Sequence, residues 1–166
     1  ELARMDYVTM IPGDNEIESE SVEGIFAQVG RADIVIPYTA NPQIRPLSRR
    51  LISRAFTTFV NLVFGRRLRY YNGCCVHRRT LLQSVPIDTE GFAYSAAILV
   101  RLLRKGATFV ETPMTIKARE HGATKAFRLR NVVSVVATLV NLIVEVHFRG
   151  PAPAVTLKEA TRCAAR

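Results

Sequence analysis

The sequence predicts an α/β fold, with a mainly parallel sheet and helices laid over it. Three observations carry that expectation. Short apolar runs closed by turn residues recur at residues 8–11, 32–37 and 107–111, with the length and composition of buried strands. Helical periodicities alternate with them, as covering helices on a parallel sheet do. A chain of 166 residues at 48% hydrophobic content also suffices for one domain with a real core.

The elements follow in order. The first run, Val8-Thr9-Met10-Ile11, is broken by Pro12-Gly13, and two carboxylates, Asp14 and Glu16, come at once. Val22, Ile25, Phe26 and Val29 recur at i, i+3, i+4 and i+7, marking a short amphipathic helix ended by Gly30. Residues 32–37 form a second buried strand, and residues 39–46 a loop that carries Pro42 and Pro46. A long helix over residues 47–64 stops at Gly65. Residues 70–76 read as a further strand broken at Asn72-Gly73. Residues 91–105 read as a helix closed by Gly106, and residues 107–111 as another strand. The stretch 150–166, with its Pro-Ala-Pro-Ala, reads as a loose tail.

The helix expected over residues 131–148 has its own pattern. Its polar residues, Asn131, Ser134, Thr138, Asn141 and Glu145, are spaced three, four, three and four, so all fall on one narrow stripe. The remaining surface is Val, Leu, Ile and Ala. The uncharged run ends at Glu145, short of the ~20 apolar residues of a spanning helix. Arg128, Arg130 and Arg149 flank it where interfacial anchors would sit. An in-plane membrane helix is favoured by the width of the apolar face; a helix buried in the core or on a partner is the alternative.

Charge is unevenly laid out. There are 23 Lys+Arg against 14 Asp+Glu, a formal net of +9, and 19 of the basic residues are arginine. No acid occurs between Ile34 and Ile87, a stretch that holds nine arginines from Arg45 to Arg79. An acidic cluster of Asp14, Glu16, Glu18, Glu20 and Glu23 precedes it. Arginine suits bidentate contact with phosphate oxygens. Asp14 and Glu16 follow a strand, where open α/β sheets bind ligands, and are hard oxygen ligands suited to Mg²⁺ or Mn²⁺. An ordinary surface turn is the other reading of those two acids. Nucleic acid is not the expected partner: the aromatics of the arginine field, Phe56, Phe59 and Phe64, fall at core spacing rather than as stacking platforms. Cys74, Cys75 and Cys163 show no zinc spacing and read as free thiols of a reducing compartment. His77, His121 and His147 are too scattered to form a ligand set.

The order of these features resembles the family 2 glycosyltransferases, in particular the polyprenyl-phosphate (dolichol-phosphate) mannosyl- and glucosyltransferases. Carrying the likeness are the strand with Pro-Gly-Asp-Asn-Glu, the Ala-Asp-Ile-Val-Ile strand, the arginine-rich helix and the seven residues from Arg119 to Lys125, Arg-Glu-His-Gly-Ala-Thr-Lys. It runs from about Asp6 to Phe148. The resemblance implies a partial GT-A (Rossmann-like) domain over residues 1–130, an amphipathic helix at 131–149 and the tail at 150–166. It implies inverting transfer of a hexose from a nucleotide-diphosphate sugar to a polyprenyl phosphate, with Mg²⁺ or Mn²⁺, at the cytoplasmic face of a membrane.

Residue by residue, Asp14 matches the second acid of the family's Asp-x-Asp metal motif, and Glu16 a further metal-side ligand. Arg49 and Ser53 match contacts to the acceptor phosphate; Arg119 and Lys125 match the basic residues of an Arg-x-x-Gly-x-Ser-Lys motif that contacts substrate phosphates. Three positions depart from the pattern. Pro12 stands where the first Asp belongs, Pro37-Tyr38-Thr39 replaces Gly-Ser-Arg, and the acid near Ala97 is absent, leaving Asp88 and Glu90 upstream as candidates or as helix-capping acids. The family's nucleotide-gripping strands precede the Asp-x-Asp strand, so the expectation is the C-terminal part of a catalytic domain, with an open sheet edge that invites self-association. An anionic-lipid-binding protein without catalysis, or an inactive transferase fragment, is the rival reading.

Overall fold

The computed structural model describes residues 3–87, 91, 93–118 and 129–148. Four strands form one sheet in the order β1-β3-β2-β4, where β1 is Tyr7–Thr9, β2 Ile34–Thr39, β3 Val76–Arg78 and β4 Phe109–Met114. The parallel pairing expected from the sequence is present as a six-residue ladder between β2 and β4. β3 runs antiparallel to both β1 and β2, so the sheet is mixed. Three strands, β1, β2 and β4, nevertheless point the same way, and their carboxyl ends share one edge.

β2 explains why the sheet is covered on both faces. Its run Ile34-Val35-Ile36 is wholly buried, and period-two alternation sends successive side chains to opposite sides. Ile34 and Ile36 join a cluster with Val60, Leu99, Leu102 and Leu142; Val35 joins Ile25, Val76, Met114 and Ile116. The first cluster lies under α2 (Leu47–Phe64), α4 (Tyr94–Arg104) and α5 (Leu129–Phe148), the second under α1 (Ser19–Phe26). A single turn, α3 (Arg79–Leu82), follows β3 directly.

The α2 limits coincide with the sequence expectation because both ends are chemically marked. Pro46 precedes its first residue, and Gly65 closes it in the left-handed region at φ 62°. By contrast, residues 70–75 do not form the strand the sequence suggests; β3 begins only at Val76. Before it the chain lies close against the end of β2: a Cβ on Gly73 would lie 2.5 Å from the Pro37 carbonyl oxygen, an approach that glycine allows.

In α5 the polar stripe is directed partly inward. Arg101, buried on α4, grips the Glu145 carboxylate through two nitrogens, with Nη2 to Oε2 at 2.7 Å, while its Nη1 donates to the Pro86 carbonyl at 2.7 Å. Leu139 and Leu142 are buried beside this pair, and Val132, Val133, Val136, Val140, Val144 and Phe148 are exposed. By length and composition, Arg130–Phe148 is apolar enough to cross a membrane. The tail over 150–166 lies outside the described residues.

Candidate functional site: an acidic turn and an arginine-lined cavity

Two features sit at the shared edge where β1, β2 and β4 end. The first is the turn after β1. Asn15 adopts a positive φ of 53°, and the Asp14 carboxylate accepts a hydrogen bond from the Glu16 backbone N–H at 3.4 Å. The turn is anchored to the chain leaving β4: Lys117 N–H donates to the Glu16 carbonyl at 2.7 Å, and Ile17 bridges to Ile116. Asn41, just past β2, clasps Ile116 from the other side, donating to its carbonyl at 2.8 Å and accepting from its N–H at 3.0 Å. Asp14 is exposed and Glu16 half-buried.

The second feature is a cavity of about 300 Å³ between the end of β2 and α2. Five arginines line it (Arg45, Arg49, Arg50, Arg54 and Arg69), together with Ser53, Thr39, Tyr38 and Tyr70. No carboxylate is among its lining residues. Helical geometry delivers this set. Positions 49, 53 and 57, and again 50, 54 and 58, are spaced by one turn, so they put one polar face of α2 against the cavity. Phe56, Val60 and Phe64 continue the stripe of Arg49 and Ser53 along the second half of the helix and join the core, and Leu51, Ile52, Phe59 and Leu62 are exposed on the opposite side.

The far wall is held in place by a network. Asn61 on α2 donates to the Leu68 carbonyl at 2.8 Å and accepts from Leu68 N–H and from the Tyr71 hydroxyl at 2.8 Å. Burial pushes the Tyr71 phenol up to about 12, so that hydroxyl stays a donor. The guanidinium of Arg69 lies 4.5 Å over the Tyr38 ring, and its backbone N–H binds Glu111 at 2.7 Å. The Tyr70 hydroxyl accepts from Arg45 Nη1 at 3.3 Å.

Arg49 and Ser53, expected from the sequence, are therefore brought together in one cavity. Asp14 and Glu16 are brought together on one turn at the same edge. Arg119, Lys125, Asp88 and Glu90 lie outside the described residues. Thr39, Arg45, Arg50, Arg69 and Tyr70 were not singled out as site residues, although the one-turn spacing that joins Arg50 and Arg54 to the Arg49 face is visible in the sequence. Among the described residues no group of three or more His, Cys, Asp or Glu side chains could hold a metal. Cys74 and Cys75 are free and buried, and burial pushes the Cys75 thiol up to about 12, which leaves it inert as a nucleophile.

No family model matches the chain. It is similar to the undecaprenyl-phosphate mannosyltransferase of Micrococcus luteus, with 26% identity over 128 residues, covering 72% of this chain and 53% of that protein. Among solved structures it resembles glucosyl-3-phosphoglycerate synthase from Mycobacterium tuberculosis, solved with Mn²⁺, UDP and glucosyl-3-phosphoglycerate. That likeness has a TM-score of 0.55 at 15% identity and covers 85% of this chain and 50% of the other. The chain spans about half the length of each relative. The fold is that of a GT-A, family 2-like glycosyltransferase, and both relatives are sugar-transferring enzymes.

Proposed function

We propose that this chain is the acceptor-side part of a glycosyltransferase that moves a hexose from a nucleotide-diphosphate sugar to a polyprenyl phosphate at a membrane surface. The observation that carries the reading is the pairing, at one sheet edge, of a two-carboxylate turn with a cavity lined by five arginines. Arg49 and Ser53 hold the acceptor phosphate. Asp14 and Glu16 face the donor diphosphate. Arg119 and Lys125 complete the phosphate contacts from the chain beyond β4. A divalent cation bound at Asp14 and Glu16 would neutralise the leaving diphosphate. A phosphate oxygen of the acceptor displaces the nucleotide diphosphate from the anomeric carbon with inversion. That oxygen is already anionic near neutral pH, so no general base is needed, and the protein's work is alignment and charge compensation.

The exposed apolar face of α5 supports an in-plane placement at the lipid surface, with residues 131–149 as the interfacial segment and residues 1–130 as the catalytic part. Spanning the bilayer would separate Glu145 from Arg101, and a buried guanidinium stripped of its carboxylate is costly. The same face supports the second reading, a lipid-binding surface without catalysis. Transfer of labelled hexose from GDP-mannose or UDP-glucose into lipid, with Mn²⁺ and membranes that express the chain, separates the two. Label that vanishes in Asp14→Asn supports transfer and identifies the donor. Absence of label from either donor, with vesicle binding intact, favours the lipid-binding reading.

A further inference from the structure

The walls of the cavity deliver arginine by different routes. Arg45, Arg49, Arg50 and Arg54 come from α2 and the segment just before it, whereas Arg69 comes from the segment between α2 and β3. Sheet register explains what holds Arg69 there. Ile36 pairs with Glu111 across the parallel β2–β4 ladder, and Tyr38 lies two residues beyond Ile36, so Tyr38 and Glu111 project from the same face of the sheet. Glu111 accepts the Arg69 backbone N–H at 2.7 Å, and the Tyr38 ring lies 4.5 Å under the guanidinium. A cation held over an aromatic face keeps its N–H donors. The Glu111 carboxylate also faces Arg69 Nε, but at 3.9 Å, and the Arg69 side chain is 63% exposed. So open a pair binds weakly. A guanidinium carries its donors in a rigid fork, and only the Nε side is turned to Glu111, so the terminal nitrogens can meet a ligand.

We propose that Arg69 is a further contact of the acceptor phosphate, with Tyr38 and Glu111 as the residues that position it. The inference rests on the reading of this cavity as the acceptor-phosphate site. A phosphate monoester held from α2 by Arg49 and Ser53 is met from another wall by the Arg69 fork. Contacts from one helix face leave a phosphoryl group free to turn; a second direction of contact fixes its oxygens, as the displacement requires.

Calorimetric titration of the full chain with geranyl phosphate tests this, at fixed salt with EDTA present. Arg69→Gln is expected to weaken binding by about tenfold or more, and Arg69→Lys to recover only part of the loss, because an ammonium lacks the fork. Arg67→Gln is the charge control: Arg67 is exposed and does not line the cavity, so this variant should bind within about twofold of the unaltered chain. Tyr38→Leu should weaken binding by about threefold, Tyr38→Phe should restore it, and Tyr38→Leu should cost nothing further in the Arg69→Gln background. Inorganic phosphate is the second probe. A proportional loss with it assigns Arg69 to the phosphoryl group alone; a loss confined to geranyl phosphate assigns it to the lipid ester; both uphold the contact. Equal losses in Arg69→Gln and Arg67→Gln reduce the effect to general charge and overturn it. If Arg69→Gln binds as the unaltered chain does while Arg49→Gln is about tenfold weaker, this inference falls and the acceptor site stands. If neither variant changes binding, the acceptor-site reading falls with it.

Discussion

The acidic turn and the arginine cavity share a sheet edge but are built on opposite plans. The turn is exposed, rests on backbone hydrogen bonds to the chain after β4, and offers two carboxylates. The cavity is walled by a helix, by a turn stapled through Asn61 and by an arginine–tyrosine stack. The difference separates two tasks. A site that an incoming ligand completes can be left open, whereas one that grips a ligand against competing water is organised beforehand.

The sharpest way to break this comparison is to change each side and read kinetics. Asp14→Asn should lower kcat for hexose transfer by on the order of 100-fold or more, with vesicle binding unchanged. Arg49→Gln should act on the other side, raising KM for the lipid phosphate by about tenfold or more and lowering kcat less. If Arg49→Gln changes kcat alone, the cavity is not a grip and the division of tasks fails. Gly73→Ala drives a methyl group into the Pro37 carbonyl beneath Tyr38 and should cost about 1–3 kcal/mol in urea unfolding. The residual transfer of that variant should show a raised lipid KM and an unaltered metal requirement.

Smaller effects sharpen the picture. His77 sits on β3 between Val8 and Ile34, and burial pushes its imidazole down to about 4. The unfolded chain takes up that proton near 6.5, so stability should fall as pH drops through that window, by roughly 2 kcal/mol between pH 7 and 5. His77→Gln should flatten the slope; a slope that persists assigns the acid sensitivity elsewhere. Asp33 has the opposite sign. Burial raises its carboxyl, but hydrogen bonds from Thr108 N–H and Oγ1 and the charge of Arg78 outweigh burial and leave it low. Its contribution is present at neutral pH and is lost only as pH falls through that lowered value, so Asp33→Asn should reduce stability at pH 7 more than at pH 3.

Much of this was legible in the sequence, for identifiable reasons. β2 was readable as a continuous apolar run and α2 from Pro46 and Gly65; Asp14 and Glu16 were singled out as acids after a strand, and Arg49 and Ser53 through the family resemblance alone. What escaped depended on contacts between distant segments. β3 was placed too early, over 70–76, because its limits are set by pairing with β1 and β2, which lie far away in the chain. The inward turn of the α5 stripe depends on Arg101, 44 residues away in the chain, which a single-helix pattern does not register. Arg45 and Arg50 were visible as charges, but that their Nε atoms are covered is a property of the assembled cavity.

β3 also decides where the chain after β1 can go. Because β3 lies between β1 and β2, β1 does not pair with β2, and the chain that leaves β1 is tied instead to the far side of the sheet, where Ile17 bridges to Ile116 just past β4. Asn41, on the segment that leads from β2 into α2, holds the same Ile116 through both of its amide atoms. One residue beyond β4 therefore fastens the acidic turn and the entrance to α2 together, so a shift in either is felt by the other.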